Sequence, residues 1–186
     1  TIQHILKQSK MTIIDASQNE VNGGSIRITA VHENSSRACN VSPEAKWLIG
    51  QEKNHDIFSN QPWVEFQKNV VRHKSDLVNL LRELKSSGKK VIGYGASTKG
   101  NVTLQYCGIG PDLLPFIGDI TPWKDGVLTP GSQIPIISME KAKAMQPDYF
   151  LVLPWWAKAD ILIREKEMIA NGVKFIFPLP FVEIVN

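Results

Sequence analysis

Lys89-Lys-Val-Ile-Gly-Tyr-Gly-Ala-Ser-Thr-Lys-Gly-Asn101 carries an apolar strand into a glycine-rich turn and then into a helix starting at Ser97. Such a junction leaves backbone N–H groups without intrahelical partners, a natural seat for a phosphate or another anion. It predicts a ligand-binding α/β domain without saying which ligand. Downstream the same alternation continues. Strands are predicted at Val91–Tyr94, Leu114–Asp119, Ile134–Ile137, Tyr149–Leu153 and Lys174–Pro178. Between them fall helices at Ser97–Cys107, at Ser138–Met145 with Ser138 as cap and Pro147 as stop, and at Trp156–Ala170, closed by Asn171-Gly172. Continuous apolar strands separated by helices imply a parallel sheet covered on both faces. With right-handed crossovers, residues 89–186 form a Rossmann-like unit.

Upstream, residues 35–88 are expected to be a helical linker region. Ser42-Pro43-Glu44 offers an N-cap followed by proline at the first helical position, opening a helix towards Asn54. A longer helix is predicted from about Asn60 to Ser87, with Trp63, Phe66, Val70, Leu77, Leu81 and Leu84 as a core-packing stripe and Gly88 as its stop. Residues 1–34 suggest a short helix and two strands, Thr12–Asp15 and Ser25–Val31, with Asn22-Gly23-Gly24 permitting positive φ before the second. A helix–strand–strand piece cannot enclose a core by itself, so it is expected to close the edge of a sheet lying elsewhere. The chain also starts at Thr1 inside helix-like sequence, which suggests a piece of a longer protein.

Length and composition narrow the function classes. At 186 residues there is room for one good-sized domain, or one with an appendage. Hydrophobic content of 42% and charged content of 21% are ordinary for a globular protein. A net charge of +3 without a polybasic block gives no reason to expect nucleic acid. No apolar run approaches the roughly 20 residues that span a bilayer, so no membrane partner is expected. Cys39 and Cys107 are far apart and fit no metal spacing, which suggests free thiols in a reducing, cytoplasmic setting. His4, His32, His55 and His73 share no spacing with one another or with either cysteine. Neither a Ser–His–Asp set nor a carboxylate pair emerges, so no catalytic and no metal-ligating residue is assigned.

Three nucleotide templates can be laid on the glycine turn. Gly93 and Gly95 fit the dinucleotide fingerprint, but Thr98 occupies the third position and the next glycine is Gly100. Asp119, ending the next predicted strand, lies near where a ribose-binding carboxylate is expected. The P-loop template matches Gly95 and Gly100 and then fails, because Asn101-Val102 stands where Lys-Ser/Thr is required. An S-adenosylmethionine turn fits no better than the first. A tight turn whose glycines serve geometry alone is the competing interpretation, and Lys99 tilts the balance towards bound phosphate. The loops Gly118–Gly126, Pro130–Pro135 and Pro154-Trp155-Trp156 rise from the carboxyl edge, where open α/β sheets bind ligands. There Asp119 would accept from a sugar hydroxyl or cap its own loop. Lys124 would neutralise phosphate or lie in water, and Trp155 would stack on a ligand or cap the core.

Taken in order, Gly93-Tyr-Gly-Ala-Ser-Thr-Lys-Gly-Asn101, Gln105-Tyr-Cys-Gly-Ile109, Asp119-Ile-Thr-Pro-Trp-Lys124, Pro130-Gly-Ser-Gln-Ile-Pro-Ile136 and Leu153-Pro-Trp155 resemble the C-terminal part of S-adenosylmethionine-dependent sugar-nucleotide C-methyltransferases, from about residue 12 to 183. The resemblance implies three parts: an N-terminal zinc-binding domain, a central methyl-donor-binding Rossmann domain, and a Rossmann-like C-terminal domain. The nucleotide sugar would bind between the last two. Proton abstraction beside a ketone and attack of the enolate on the donor methyl would then be the reaction. Residues 1–34 would be the tail of the central domain, packed against the rest of it. The zinc cysteines, donor site and general base would lie upstream, so this fragment alone would not turn over and would hold no cofactor. Its expected work is to hold the nucleotide-linked sugar through Gly93, Gly95, Ala96, Ser97, Thr98, Lys99, Gly100, Asn101, Asp119, Lys124 and Trp155. Asn22, Ser25 and Arg27 would reach the sugar from the other side. An NAD(P)-linked oxidoreductase fragment and a non-catalytic nucleotide-binding module remain as alternatives.

Overall fold

The computed structural model describes residues 1–186 and separates them into two units, Thr1–Lys68 and Asn69–Asn186. In the first, helix α1 (Ile2–Gln8) precedes an antiparallel ribbon of β1 (Met11–Asn19) and β2 (Ser25–His32), with a register shift between Ile13 and Asp15. Asn22 at φ 55° and Gly24 at φ 121° turn the chain between the strands. Helix α2 (Pro43–Asn54) starts where Ser42 Oγ accepts from the Ala45 amide at 3.1 Å. A small core of Ile13, Ala16 and Ala45 gathers Leu6, Ile28, Val41 and Leu48 around it.

Helix α3 (Gln61–Ser86) begins in this unit and ends in the next. Its apolar stripe is buried only in the second half. Leu77 and Leu81 are fully buried, whereas Trp63 and Phe66 are 59% and 62% exposed. The core-packing role expected for those two aromatics is therefore corrected. A 3.6-residue period marks one helix face but not where the covering layer stops.

The second unit continues through β3 (Val91–Tyr94), α4 (Thr98–Cys107), β4 (Ile117–Asp119), β5 (Ile136–Ser138), α5 (Met139–Ala144), β6 (Tyr149–Val152), α6 (Lys158–Arg164), α7 (Lys166–Ala170), β7 (Lys174–Phe177) and β8 (Glu183–Val185). The strands form one sheet in the order β5-β4-β3-β6-β7-β8, parallel throughout except for β8, which pairs antiparallel with β7. This is the α/β Rossmann-like architecture expected. Side chains alternate across it. Val91, Leu151, Leu153 and Ile176 join Leu77, Leu81 and Leu104 of α3 and α4 on one face. Ile92, Tyr94, Phe150, Val152, Phe175 and Phe177 join Met139, Ala142 and Ile161 of α5 and α6 on the other. Each fully buried side chain of this size stabilises by about 1.5–3 kcal/mol.

One predicted helix is broken in two. Trp156–Ala170 resolves into a 3-10 turn at Trp155–Ala157, then α6 and α7 with Glu165 between them. Glu165, 2% exposed, accepts from Tyr94 Oη at 2.7 Å and from Lys143 Nζ at 2.6 Å. Arg164 Nη2 also donates to Tyr94 Oη, at 2.8 Å. Burial raises the Glu165 carboxyl, but these donors outweigh it and hold the group below the usual carboxylate range. The bonds pull one residue out of the helical path, which local propensity does not foresee. No helix is long and apolar enough to cross a membrane.

Candidate functional site

The sheet reverses its winding at β3, since β4 and β5 extend it one way and β6 and β7 the other. Open α/β sheets bind ligands in the crevice beyond the strand ends at this switch point. Here the turn Gly95-Ala96-Ser97 follows β3, and Pro154-Trp155-Trp156 follows its neighbour β6 at the same edge.

The turn packs tightly against β6. Gly95 has φ +76°, and a Cβ on it would lie 2.9 Å from Pro154 Cδ. A Cβ on Gly100 would lie 2.4 Å from that of Leu153. Only glycine lets the turn and helix α4 approach the strand this closely. Gly93 lies inside the buried strand β3. Ser97 is the N-cap, its Oγ accepting from the Gly100 amide at 3.1 Å while its carbonyl accepts from Asn101 N at 2.9 Å. The Asn101 side chain accepts from Ser132 Oγ at 3.4 Å. Of the early amides of α4, that of Thr98 meets no protein acceptor.

Asp119 fastens this turn to the loop after β4. Its Oδ2 accepts from the Ala96 amide at 2.7 Å and from Lys124 Nζ at 3.1 Å, and its Oδ1 from the Thr121 amide at 2.8 Å. Lys124 also donates to the Ala96 carbonyl at 3.0 Å. Burial, with Asp119 only 6% exposed, pushes its carboxyl up. Hydrogen bonds from Thr121, Lys124 and Ala96 override that and leave it below the usual range. Three protein donors thus occupy most of the roughly four acceptor sites of this carboxylate.

Cationic and aromatic groups neighbour one another in the loops of this edge. Lys99 Nζ lies 5.0 Å over the Trp156 ring, and Lys124 Nζ lies 5.7 Å from the centroid of Trp123, itself 76% exposed. Both distances are in the cation–π range. Trp155 meets Trp156 edge to face at 5.7 Å and packs on the core, with its Nε1 buried and without a hydrogen-bond partner. The tryptophan doublet was visible in the sequence, but adjacent residues of a 3-10 turn point differently, and Trp156 rather than Trp155 pairs with the lysine. Trp123 was passed over beside Lys124.

The remaining predicted site residues lie in the first unit. Asn22 sits in the turn before β2, Ser25 Oγ donates to the Val21 carbonyl at 2.8 Å, and Arg27 pairs in register with Ser17. All three are exposed. His73 of α3 is hydrogen-bonded through Nε2 to the Pro178 carbonyl at 2.5 Å, so it is engaged in packing. No three His, Cys, Asp or Glu side chains gather in a way that could hold a metal ion.

A family model described as the C-methyltransferase C-terminal domain matches residues 20–180. A protein of Streptomyces niveus named C-methyltransferase NovU is 34% identical over 176 residues, covering 95% of this chain and 41% of that protein. The chain thus spans less than half the length of this curated relative.

Proposed function

The chain belongs to the C-methyltransferase C-terminal domain family, and from that premise we propose that it is the substrate-binding part of a methyltransferase acting on carbon of a nucleotide-linked deoxyketosugar. S-adenosylmethionine supplies the methyl group to such a reaction when bound. Its site, a general base and a zinc-binding domain belong, on this reading, to the remainder of a longer cytoplasmic protein. Residues 1–34 are the tail of the methyl-donor domain, 35–88 a helical linker, and 89–186 the substrate-side Rossmann-like domain. The isolated chain binds and does not turn over.

One observation carries the assignment of substrate to the carboxyl edge of β3. Lys99 stands over Trp156 one residue beyond the Thr98 amide at the start of α4, and Lys124, bonded to Asp119 and to the Ala96 carbonyl, stands beside Trp123 in the loop after β4. Lysine heads and a helix N-terminus suit a diphosphate, and indole faces suit the base or sugar that accompanies it. Asp119, Gly95 and Gly100 hold the turn in shape rather than touch ligand. The engagement of Asp119 weighs against the oxidoreductase alternative, for which that carboxylate was the main support. Asn22, Ser25 and Arg27 are proposed contacts for the sugar.

Calorimetric titration of the chain with a nucleoside diphosphate sugar, NAD and S-adenosylmethionine tests the proposal. The nucleotide sugar is expected to bind and the other two not. Lys99→Ala and Trp156→Ala are each expected to weaken it by about tenfold. Preference for NAD, or affinity untouched by both substitutions, would overturn it.

A further inference from the structure

A hollow of about 600 Å³ lies between α3 and α4, near the opposite end of α4 from Thr98. Lys74, Asn79 and Arg82 of α3 and Tyr106 of α4 form its walls, and the buried Val78 and Cys107 lie at its floor. Its volume falls within the range of about 300–1,000 Å³ typical of small-molecule sites. None of these residues takes part in the edge described above.

Its charge is of one sign. Helix α4, Thr-Lys-Gly-Asn-Val-Thr-Leu-Gln-Tyr-Cys, contains no acidic residue. Beyond Asn69, α3 carries Asp76 and Glu83, and neither lines the hollow. At 3.6 residues per turn both point about a third of a turn away from the Val78–Arg82 strip. No carboxylate pairs with Lys74 or Arg82. Lys74 is instead held 5.3 Å over the Tyr106 ring, which fixes one cation at one end. Arg82 stands about 12 Å further along the helix axis, with Val78 and Asn79 between them.

Two separated cations, an apolar floor and one amide side chain describe a receptor for an elongated molecule that is anionic at both ends. We infer that this groove binds a small organic molecule with an anionic group at each end, whose terminal carboxylates or phosphates pair with Lys74 and Arg82 and whose middle lies over Val78. Arg82 can engage such a group with two parallel N–H donors. Asn79 is placed to hydrogen-bond a polar group along the chain.

The test is calorimetry on the full chain with three probes: suberate, a dicarboxylate; fructose 1,6-bisphosphate; and octanoate, which shares the apolar body but has one charge. At least one of the first two is expected to bind with unit stoichiometry and to exceed octanoate by about tenfold. The better of the two identifies the preferred end group. Lys74→Ala and Arg82→Ala should each weaken it by about tenfold, and the double substitution should abolish it. Lys141→Ala, which breaks a pair with Asp125 elsewhere, should leave it unchanged. Raising salt from about 50 to about 500 mM should weaken binding through screening. Amide shifts of Asn79 and Tyr106 in the unmodified protein should move on titration, a readout that needs no variant. Absence of binding by both suberate and fructose 1,6-bisphosphate, or binding insensitive to the double substitution, would overturn the inference.

Discussion

Replacing Asp119 with alanine removes the acceptor that holds the β3 turn, the β4 loop and Lys124 together, and its cost can be worked from the geometry. Two backbone amides, of Ala96 and Thr121, and one ammonium lose their partner at once. A buried amide left unpaired costs about 1–3 kcal/mol. Lys124, 23% exposed at its side chain, can turn to water and adds little. The expected loss is about 2–4 kcal/mol, the sum over two part-buried amides. Asp119→Asn retains the shape but sets one NH2 against a donor, so about 2 kcal/mol is expected.

The pH dependence has a definite sign. Because the folded carboxyl lies below its ordinary value, its stabilisation is fully present above an unfolded value near about 3.9 and fades as pH falls through the folded value. The gap between the unmodified protein and Asp119→Ala is therefore constant near neutrality and narrows below about pH 4. Urea unfolding followed by far-ultraviolet circular dichroism at several pH values measures both quantities. A difference within about 0.5 kcal/mol at neutral pH, which is the size of an ordinary surface substitution, or a gap that does not change down to about pH 3, would refute the reasoning.

Other substitutions probe the same framework. Gly100→Ala drives a Cβ to 2.4 Å from that of Leu153 and should destabilise by about 1–3 kcal/mol, read as a lowered urea midpoint. Glu165→Ala leaves Tyr94 and Lys143 without their shared acceptor and should cost about 3 kcal/mol in the same assay, more than Glu165→Gln. Leu81→Ala, at a fully buried position, should cost about 2–5 kcal/mol, whereas Phe66→Ala on the exposed half of the same helix should change stability by less than about 1 kcal/mol.

The parts of the fold that local chemistry specifies were legible in the sequence. Ser42, Ser97 and Ser138 each cap the helix foreseen, and each side chain accepts from the amide three residues on. Apolar runs bounded by glycine and proline marked the five parallel strands, although β4 begins at Ile117 rather than Leu114. Features set by distant partners were not legible. Strand β8 has three residues and exists because β7 offers it an edge. The polar end of β1, Ser17 to Asn19, lacks apolar alternation and is a strand because it pairs with Ser25 to Arg27. The kink at Glu165 depends on Tyr94, 71 residues earlier. The position of Asp119 at the end of β4 could be read, but whether its oxygens were available depended on Ala96 and Lys124 folding over them.

That last point changes what kind of binding the carboxyl edge can support. A dinucleotide turn recognises its ligand largely with backbone, its glycines allowing a pyrophosphate to approach the amides. In this chain Gly95 and Gly100 are pressed against Pro154 and Leu153, and the Ala96 amide is spent on Asp119. Affinity must then come mainly from side chains: the Lys99 ammonium and the Trp156 and Trp123 faces. Backbone recognition tolerates salt and resists single substitutions, whereas a lysine head on an indole face is screened and removable by one substitution. Nucleotide-sugar affinity should accordingly fall with ionic strength and respond to Trp156→Ala at constant fold stability. An affinity indifferent to both would move the binding site away from this edge.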